Sequence, residues 1–286
     1  MARFLAIVFL LLSAGSASAE NVRFPSVAVG TSAAGPEITA WLYRPSGAGP
    51  FPAIVLAHTC GGLSEHTNVW GKLLASWGYV VVAPDSFGPR GEKSVCGRGN
   101  VVNGSMRVAD VAGALDFLNA QPFVRRGDIG LIGHSHGGWT TMRAVQKSYD
   151  LASRGLKAAV AYYPSCAQQF DRDVAVPLLI LIGDKDDWTL AANCRKLQAA
   201  GFARPELVDV VYYANAYHSF DSRVLDRTIT VADGKSHHLA YDPAAATERA
   251  QDAVLRCRDD AQLERARARH PARRLLHDEH ARLQQR

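Results

Sequence analysis

One serine stands in a setting that suits nucleophilic chemistry: Ser135 has Gly133 two residues before it and Gly137 two residues after it. A serine hydroxyl is a weak nucleophile, so it must project from the backbone to a point where a base can reach it. A tight turn from a strand into a helix achieves this, and the positions two residues away then come too close for a Cβ atom. The pattern predicts Ser135 as a nucleophile, and an ordinary glycine-rich turn is the plain alternative.

A histidine after a later apolar run is the candidate base. His218 comes shortly after the run Val208 to Tyr213, which is typical of a strand. Catalytic groups gather at the carboxyl ends of strands in α/β sheets, so this loop should approach Ser135. There His218 would take the serine proton and later return it to the leaving group. His237 and His238 fit less well, because they lie in a polar stretch that no predicted strand precedes.

The acid that orients the base should follow a strand between the serine and the histidine. The predicted strand Leu178 to Ile182 is followed by Asp184, Asp186 and Asp187. Three carboxylates of like charge would not all be buried against one imidazole. One of them should therefore orient the histidine, and the other two should be loop or cap residues. The residues alone leave that choice open.

An oxyanion hole needs two backbone N–H donors. The first should be the N–H of His136, directly after the nucleophile. The second should come from the glycine-containing loop that follows the predicted strand Ala53 to Ala57, where Cys60 is the preferred donor and Thr59 the alternative. Cys60 as the nucleophile is a rival interpretation, but no strand-to-helix turn surrounds it, and a disulfide is the better use of its sulfur.

A metal site is a further interpretation of His134 and His136. These two side chains flank a strained turn and should diverge, and no third ligand lies at a helical spacing such as H-E-x-x-H. We therefore expect no metal. Hydrolysis by an activated serine also requires no cofactor.

Short apolar runs bounded by Pro, Gly or Asp predict the strands that position these residues. They are Ile38–Tyr43, Ala53–Ala57, Tyr79–Ala83, Ile129–Ile132, Ala158–Tyr163, Leu178–Ile182 and Val208–Tyr213. Several lack polar alternation, as expected of strands that are buried on both faces of a parallel sheet. Residues 20–37 read as an antiparallel lead-in.

Helices are predicted between the strands. They cover Val69–Trp77, Ser105–Leu118, a segment just after Ser135, a segment near Thr189 that this residue could cap, and Ala245–Arg258. Strands alternating with helices predict an α/β fold, with a mostly parallel sheet and helices on both faces. Without an internal repeat or a Pro/Ser-rich linker, one domain over residues 20–260 is the economical prediction.

The first nineteen residues have the composition of a cleaved signal peptide. Arg3 supplies a positive charge, Phe4 to Leu12 is an unbroken apolar run, and Ala17 and Ala19 are the small residues that a signal peptidase prefers. A membrane anchor is the alternative, but the apolar run is short for spanning a bilayer. The mature protein would begin at Glu20, outside the cytoplasm.

Export changes how the five cysteines are interpreted. They lack the close C-x-x-C pairs of a zinc site, and pairing is expected in an oxidising compartment. The neighbours in sequence suggest Cys60 with Cys96 and Cys166 with Cys194, which leaves Cys257 over. This connectivity is a hypothesis, since spacing alone does not determine it.

The formal net charge of +5 does not indicate nucleic-acid binding. Much of it lies in the C-terminal tail, residues 261–286, which holds seven arginines and three acidic residues. A basic tail of this kind is usually a solvated helix face or a loose end. The apolar fraction of 48% and the charged fraction of 21% are ordinary for a globular protein, which excludes fibrous and wholly disordered classes.

Taken together, these motifs resemble the dienelactone hydrolase family of α/β hydrolases. The resemblance runs from Ile38 to Phe220, and its more specific parts are residues 78–87, Gly133–Gly138, Gly183-x-x-Asp186 and Tyr217–Phe220. It implies an α/β-hydrolase fold and a hydrolase of esters or lactones that acts through an acyl-enzyme.

The resemblance also assigns roles to individual residues. In this family the acid stands three residues after a glycine, which favours Asp186 over Asp187. The histidine is usually followed closely by an aromatic residue, as His218 is. The loop that supplies the second oxyanion donor points to Cys60. Arg90 lies near a family arginine that can hold a substrate carboxylate.

Two features depart from the enzyme that gives the family its name: that enzyme has a cysteine nucleophile and is cytoplasmic. Both departures argue against transferring the dienelactone substrate, so the resemblance implies an exported esterase of small molecules whose substrate preference is open. A serine peptidase or acyltransferase with the same triad is the nearest alternative, and a non-catalytic binding protein is a more distant one.

Overall fold

The structure is a computed structural model that describes residues 19–246, except residues 169 and 224. Eight strands form one sheet: β1 (Glu20–Pro25), β2 (Glu37–Tyr43), β3 (Phe51–Ala57), β4 (Val80–Pro84), β5 (Val124–His134), β6 (Leu156–Tyr162), β7 (Leu178–Gly183) and β8 (Val208–Tyr213). Their order across the sheet is β1-β2-β4-β3-β5-β6-β7-β8. The six strands from β3 to β8 are parallel to one another, and β1 and β2 add an antiparallel edge. This confirms the predicted α/β fold and the antiparallel lead-in.

Four α-helices connect the strands. They are α1 (Glu65–Ser76), α2 (Gly104–Asn119), α3 (His136–Ala144) and α4 (Ala191–Ala199). Helix α1 begins four residues before the prediction because Ser64 and Thr67 form a capping box there. Asn103 caps α2 by accepting a hydrogen bond from the N–H of Met106. The caps, rather than the apolar periodicity, determine where these helices start.

The core lies between the sheet and its helices. Every residue of β4 and of β7 is buried, so both faces of the sheet are covered. This explains why these strands read as continuous apolar runs without polar alternation. Glycine allows one of the closest contacts: a Cβ atom at Gly71 of α1 would lie 2.3 Å from the ring of Tyr43 on β2.

Two predictions about local structure are wrong. His237 and His238 do lie on a strand, because β9 (Asp226–Thr230) and β10 (Ser236–Ala240) form a separate antiparallel hairpin. β9 is largely exposed, and of the two buried residues of β10, His237 and Leu239, one is polar, so the hairpin carries little apolar signal. Thr189 does not cap α4, whose N-cap is Leu190. Its hydroxyl instead lies 2.8 Å from a carboxylate oxygen of Asp186.

Both predicted disulfides are present. Cys60 is bonded to Cys96, and Cys166 is bonded to Cys194. Cys257, the predicted signal segment apart from its last residue, and the basic tail lie outside the described residues. Of the last predicted helix, residues 245–246 are described and are helical, within a turn that begins at residue 243. None of the described helices combines the length and apolarity needed to cross a bilayer.

Candidate active site

The predicted nucleophile lies in a sharp turn between β5 and α3. Ser135 adopts φ 55° and ψ −112°, a strained conformation that structure around it must maintain. A Cβ atom at Gly133 would lie 2.2 Å from the carbonyl oxygen of Gly137, and one at Gly137 would lie 2.1 Å from that of Ala57. Both flanking glycines are therefore sterically required. The turn presents the serine hydroxyl at the N-terminus of α3.

The predicted base meets this hydroxyl. His218 lies in the loop after β8, and its Nε2 is 2.9 Å from Oγ of Ser135. His218 is only 1% exposed and Ser135 only 7% exposed, so little water competes for this contact. The N–H of Ala240 in β10 donates to the carbonyl oxygen of His218, so the hairpin that was not predicted helps to hold the base.

Of the three candidate acids, Asp186 is the one that lies against the imidazole. Its Oδ2 is 2.8 Å from Nδ1 of His218. Since a carboxylate can only accept, Nδ1 carries the proton, and Nε2 is left to accept from the serine. Asp184 instead pairs with Arg195, and Asp187 accepts from the backbone N–H of His238.

The environment of Asp186 keeps it ionised. Its Oδ1 accepts from the N–H groups of Trp188 and Thr189 at 2.9 and 2.8 Å. Burial alone would raise the pKa of Asp186, but His218 and the donors of Thr189 outweigh it and bring this pKa below its ordinary value. A permanently charged acid can stabilise an imidazolium on His218.

The two predicted oxyanion donors come from segments that are in close contact. A Cβ atom at Gly137 would lie within 2.7 Å of the carbonyl oxygen of His58, so the loop after β3 packs on the first turn of α3. Within residues 19–246, the N–H groups of Cys60 and His136 donate to no acceptor that the structure describes. The disulfide between Cys60 and Cys96 restrains the loop after β3. Two free donors in adjacent segments fit the requirement for an oxyanion hole.

Arg107 joins these two segments and was not predicted from the sequence. Its guanidinium donates to Nδ1 of His136 at 2.8 Å and to the carbonyl oxygen of His58 at 2.9 Å. Burial lowers the pKa of Arg107 to about 9, which leaves it charged near neutrality. The available signal was its spacing in α2, because Arg107 lies four residues before Val111 and so shares the buried face of the helix.

The same contact keeps His136 neutral. Burial, followed by the charge of Arg107, lowers the pKa of His136 to about 3. Because guanidinium groups only donate, Nδ1 of His136 accepts, and its Nε2 donates to the carbonyl oxygen of Gly99 at 3.0 Å. Its ring therefore anchors the first turn of α3 and does not take part in proton transfer.

Arg90 lies in a different setting from the one that the resemblance implies. Its guanidinium makes two hydrogen bonds of 2.9 Å to Asp110 and a third to the carbonyl oxygen of Ser86. The side chain is 9% exposed, and its partner carboxylate also accepts from the hydroxyl of Ser26. Three of its donors are thus used within the fold. A role for Arg90 in binding a substrate carboxylate stays a prediction.

The histidines on either side of Ser135 diverge. His136 faces Arg107, whereas Nε2 of His134 lies 3.4 Å from Asp221, which also binds His66. Ligand atoms of His66, His134 and Asp221 lie within 4.8 Å of one another, so these three residues have the chemistry of a metal site. This group was not predicted, because its members are far apart in the sequence.

A family model described as the dienelactone hydrolase family matches residues 38–257. The chain belongs to the dienelactone hydrolase family. A carboxymethylenebutenolidase from Pseudomonas putida is 26% identical over 186 residues, which are 60% of this chain and 75% of that protein. As a member of the dienelactone hydrolase family, the chain is a hydrolase of ester or lactone bonds.

Solved structures agree on the fold of this dienelactone hydrolase family member. A dienelactone hydrolase-like promiscuous phosphotriesterase from metagenomic libraries superposes with a TM-score of 0.64 at 20% identity, and the match covers 85% of this chain and 97% of that one. The acylaminoacyl peptidase of Pyrococcus horikoshii superposes with a TM-score of 0.53 at 19% identity, over 73% of this chain but only 39% of that one. The first similarity spans nearly a whole protein, and the second spans one part of a larger one.

Proposed function

We propose that the chain hydrolyses a carboxylic ester or lactone through an acyl-enzyme formed on Ser135. The observation that carries this proposal is the line of hydrogen bonds that runs from Asp186 through His218 to Ser135, with distances of 2.8 and 2.9 Å. An imidazole in contact with a serine hydroxyl, and oriented by a charged acid, is the arrangement that activates serine for acyl transfer.

Acylation begins when Oγ of Ser135 attacks the acyl carbon and its proton passes to Nε2 of His218. The carbonyl oxygen of the substrate becomes negative and is bound by the N–H groups of His136 and Cys60. As the bond from the acyl carbon to the alcohol oxygen breaks, His218 gives its proton to that oxygen. An ester releases the alcohol, whereas the ring of a lactone opens and its alcohol stays attached to the acyl group.

Deacylation repeats the same steps with water as the nucleophile. His218 takes a proton from the water, the hydroxide attacks the acyl carbon, and the proton returns to Oγ of Ser135 as the acid leaves. Asp186 stabilises the imidazolium form of His218 in both halves of the reaction. The site supplies these steps from its own side chains and backbone.

We also propose that the chain is exported, with residues 1–19 removed, residues 20–260 forming the hydrolase domain and residues 261–286 forming a basic tail. The support comes from the composition of the first nineteen residues and from the two disulfides, which persist in oxidising compartments. Mass spectrometry of the exported protein should find Glu20 at its N-terminus, and a retained leader would contradict this.

The test of the function uses the chain from Glu20 onward, with p-nitrophenyl acetate and a five-membered lactone as substrates. Both should be hydrolysed, and a fluorophosphonate should label Ser135. Replacing the nucleophile, Ser135→Ala, should lower ester turnover by at least about 1,000-fold, because the covalent route is lost. A p-nitroanilide peptide serves as the comparison substrate and should be turned over far more slowly.

Either of two results would contradict this proposal. The first is ester turnover by Ser135→Ala at the wild-type rate, which would place the chemistry elsewhere. The second is preferential cleavage of the peptide by the wild-type protein, which would favour a serine peptidase with the same triad.

A further inference from the structure

Asp221 is a buried carboxylate that the proposed reaction does not use. It lies in the loop that carries His218, three residues further along the chain, and its side chain is 3% exposed. Oδ1 accepts from the hydroxyl of Tyr163 at 2.6 Å. Oδ2 accepts from Nε1 of Trp70 and from Nε2 of His66, both at 2.7 Å. Three strong donors converge on one carboxylate, which is what a buried charge requires.

The donors belong to elements that are far apart in the sequence. Trp70 and His66 come from α1, and Tyr163 follows β6 directly. A fourth side chain, that of His134, precedes the nucleophile and points Nε2 at Oδ2 from 3.4 Å. Asp221 therefore ties the loop of the base to the helix α1 and to the ends of the two strands that flank the site.

Tyr163 connects this carboxylate to the triad. Its ring lies edge-on to the ring of His218, with centroids 4.6 Å apart. Its carbonyl oxygen is 3.0 Å from the hydroxyl of Thr189, which itself lies 2.8 Å from Oδ2 of Asp186. Tyr163 also has a φ of 35°, which is strained for an aromatic residue and is held by its surroundings.

The neighbours of Asp221 favour its ionised form. Burial raises its pKa, but His66, His134 and the hydroxyl of Tyr163 outweigh burial, so the pKa of Asp221 lies well below its ordinary value. Burial lowers the pKa of His134 to about 3, so this neighbour is neutral. The ionised carboxylate accepts from Tyr163, Trp70 and His66.

We propose that Asp221 is a positioning residue for the reaction: through Tyr163 it holds the imidazole of His218 within reach of the hydroxyl of Ser135. This inference rests on the proposed function, because it concerns the geometry of that triad. Asp221 touches no reacting atom, and it acts by fixing the ring and the loop that carry the base. A displacement of about 1 Å at such a contact can cost about 100-fold in rate.

The test compares Asp221→Asn and Tyr163→Phe with the wild-type protein. Titration with a fluorophosphonate counts the active sites in each preparation, and ester kinetics give kcat per labelled site. Asp221→Asn places an amide N–H group among donors and should lower kcat per site about 100-fold, with KM changed less than about threefold. Tyr163→Phe keeps the ring but loses the bond to Asp221, and we expect about a tenfold loss.

Tyr162→Phe is the matched control. The hydroxyl of Tyr162 is buried, and it has no hydrogen-bond partner among the residues that the structure describes, so its removal should leave kcat per site unchanged. A chelator should also leave the wild-type rate unchanged. If instead it abolishes activity, the group of His66, His134 and Asp221 holds a required metal ion and the positioning account is overturned.

A purely structural role would lower the number of labelled sites and the melting temperature but leave kcat per site at the wild-type value, and this result would overturn the proposal. Should Asp221→Asn fail to fold, Tyr163→Phe carries the test alone. Failure of the proposed function is seen separately, as wild-type protein that a fluorophosphonate does not label at Ser135.

Discussion

Two buried aspartates near the carboxyl ends of the strands each bind an imidazole, and only one of the two pairs leads to the proposed nucleophile. Asp186 lies 2.8 Å from His218, whose other nitrogen meets Ser135. Asp221 lies 2.7 Å from His66, which belongs to α1 and is 18% exposed. The chemical groups are the same and the distances are nearly equal.

The difference lies in what each pair faces. The second nitrogen of His218 points to a hydroxyl that a strained turn has lifted from the backbone, and the proposed oxyanion donors, Cys60 and His136, belong to segments in contact with each other. Asp221 shares its charge with Tyr163 and Trp70 as well as with an imidazole, so it joins structural elements. An imidazole–carboxylate pair is therefore evidence for catalysis only together with its third partner.

The largest effect should come from the catalytic pair. Asp186→Asn removes the charge that orients His218 and favours the wrong tautomer, and we expect kcat for ester hydrolysis to fall about 10,000-fold. The adjacent change Asp187→Asn should alter kcat less than about threefold, because Asp187 binds the backbone of β10 and not the base. Equal losses in the two variants would mean that the acid has been assigned wrongly.

The next largest effect on kcat should come from removing one of the two disulfides. They enclose similar chain lengths of 36 and 28 residues. Removing either one should lower the free energy of unfolding by about 4 kcal/mol. The double change Cys60→Ser with Cys96→Ser frees the loop of the proposed oxyanion donor and should also lower kcat, by up to about 100-fold.

Cys166→Ser with Cys194→Ser provides the matched control, since this bridge ties α4 to the loop after β6. Its kcat at 25 °C should stay within about twofold of wild type while urea unfolding shows the lost stability. An equal loss of kcat in both variants would show that the effect comes from general destabilisation and not from the loop that carries Cys60.

The smallest effect concerns the histidines on either side of Ser135. Burial lowers the pKa values of His134 and His136 to about 3, whereas both would titrate near 6.5 in the unfolded chain. Between pH 6.5 and about 3 the unfolded state therefore binds protons that the folded state does not. The free energy of unfolding should fall with pH there, by about 1.4 kcal/mol per pH unit for each histidine.

Urea unfolding at pH 7 and pH 5 measures this slope. His134→Gln removes one of the two groups and should reduce the slope by about 1.4 kcal/mol per pH unit. An unchanged slope in this variant would show that His134 is protonated in the folded protein.

Much of the fold could be predicted because its buried strands are continuous apolar runs in the sequence. Strands β4 and β7 are apolar at nearly every position, as strands buried on both faces must be. The turn at Ser135 was equally clear, since Gly133 and Gly137 occupy positions where a Cβ atom would clash. These signals are local, and each follows from a single steric or hydrophobic requirement.

The rest depends on contacts between distant segments. Residue type and charge alone do not distinguish Asp184, Asp186 and Asp187, and only the family resemblance favoured Asp186. In the structure the path of the loop brings Asp186 to the imidazole. The hairpin shows little apolar pattern, because β9 is mostly exposed and one of the two buried residues of β10 is a histidine. Asp221 owes its role to partners from several elements, and no spacing in the sequence reveals it. For Arg107, the helical spacing indicates a buried face but not its partners, His58 and His136.

The most direct test of the central claim is to trap the acyl group. The chain from Glu20 onward is mixed with p-nitrophenyl acetate, quenched in acid within milliseconds, digested and analysed by mass spectrometry, with Asp186→Asn measured in parallel. We predict an acetyl group on the peptide that contains Ser135, and this group should form far more slowly in Asp186→Asn. Turnover with the acetyl group on another residue, or with equal trapping rates in the two proteins, would contradict it.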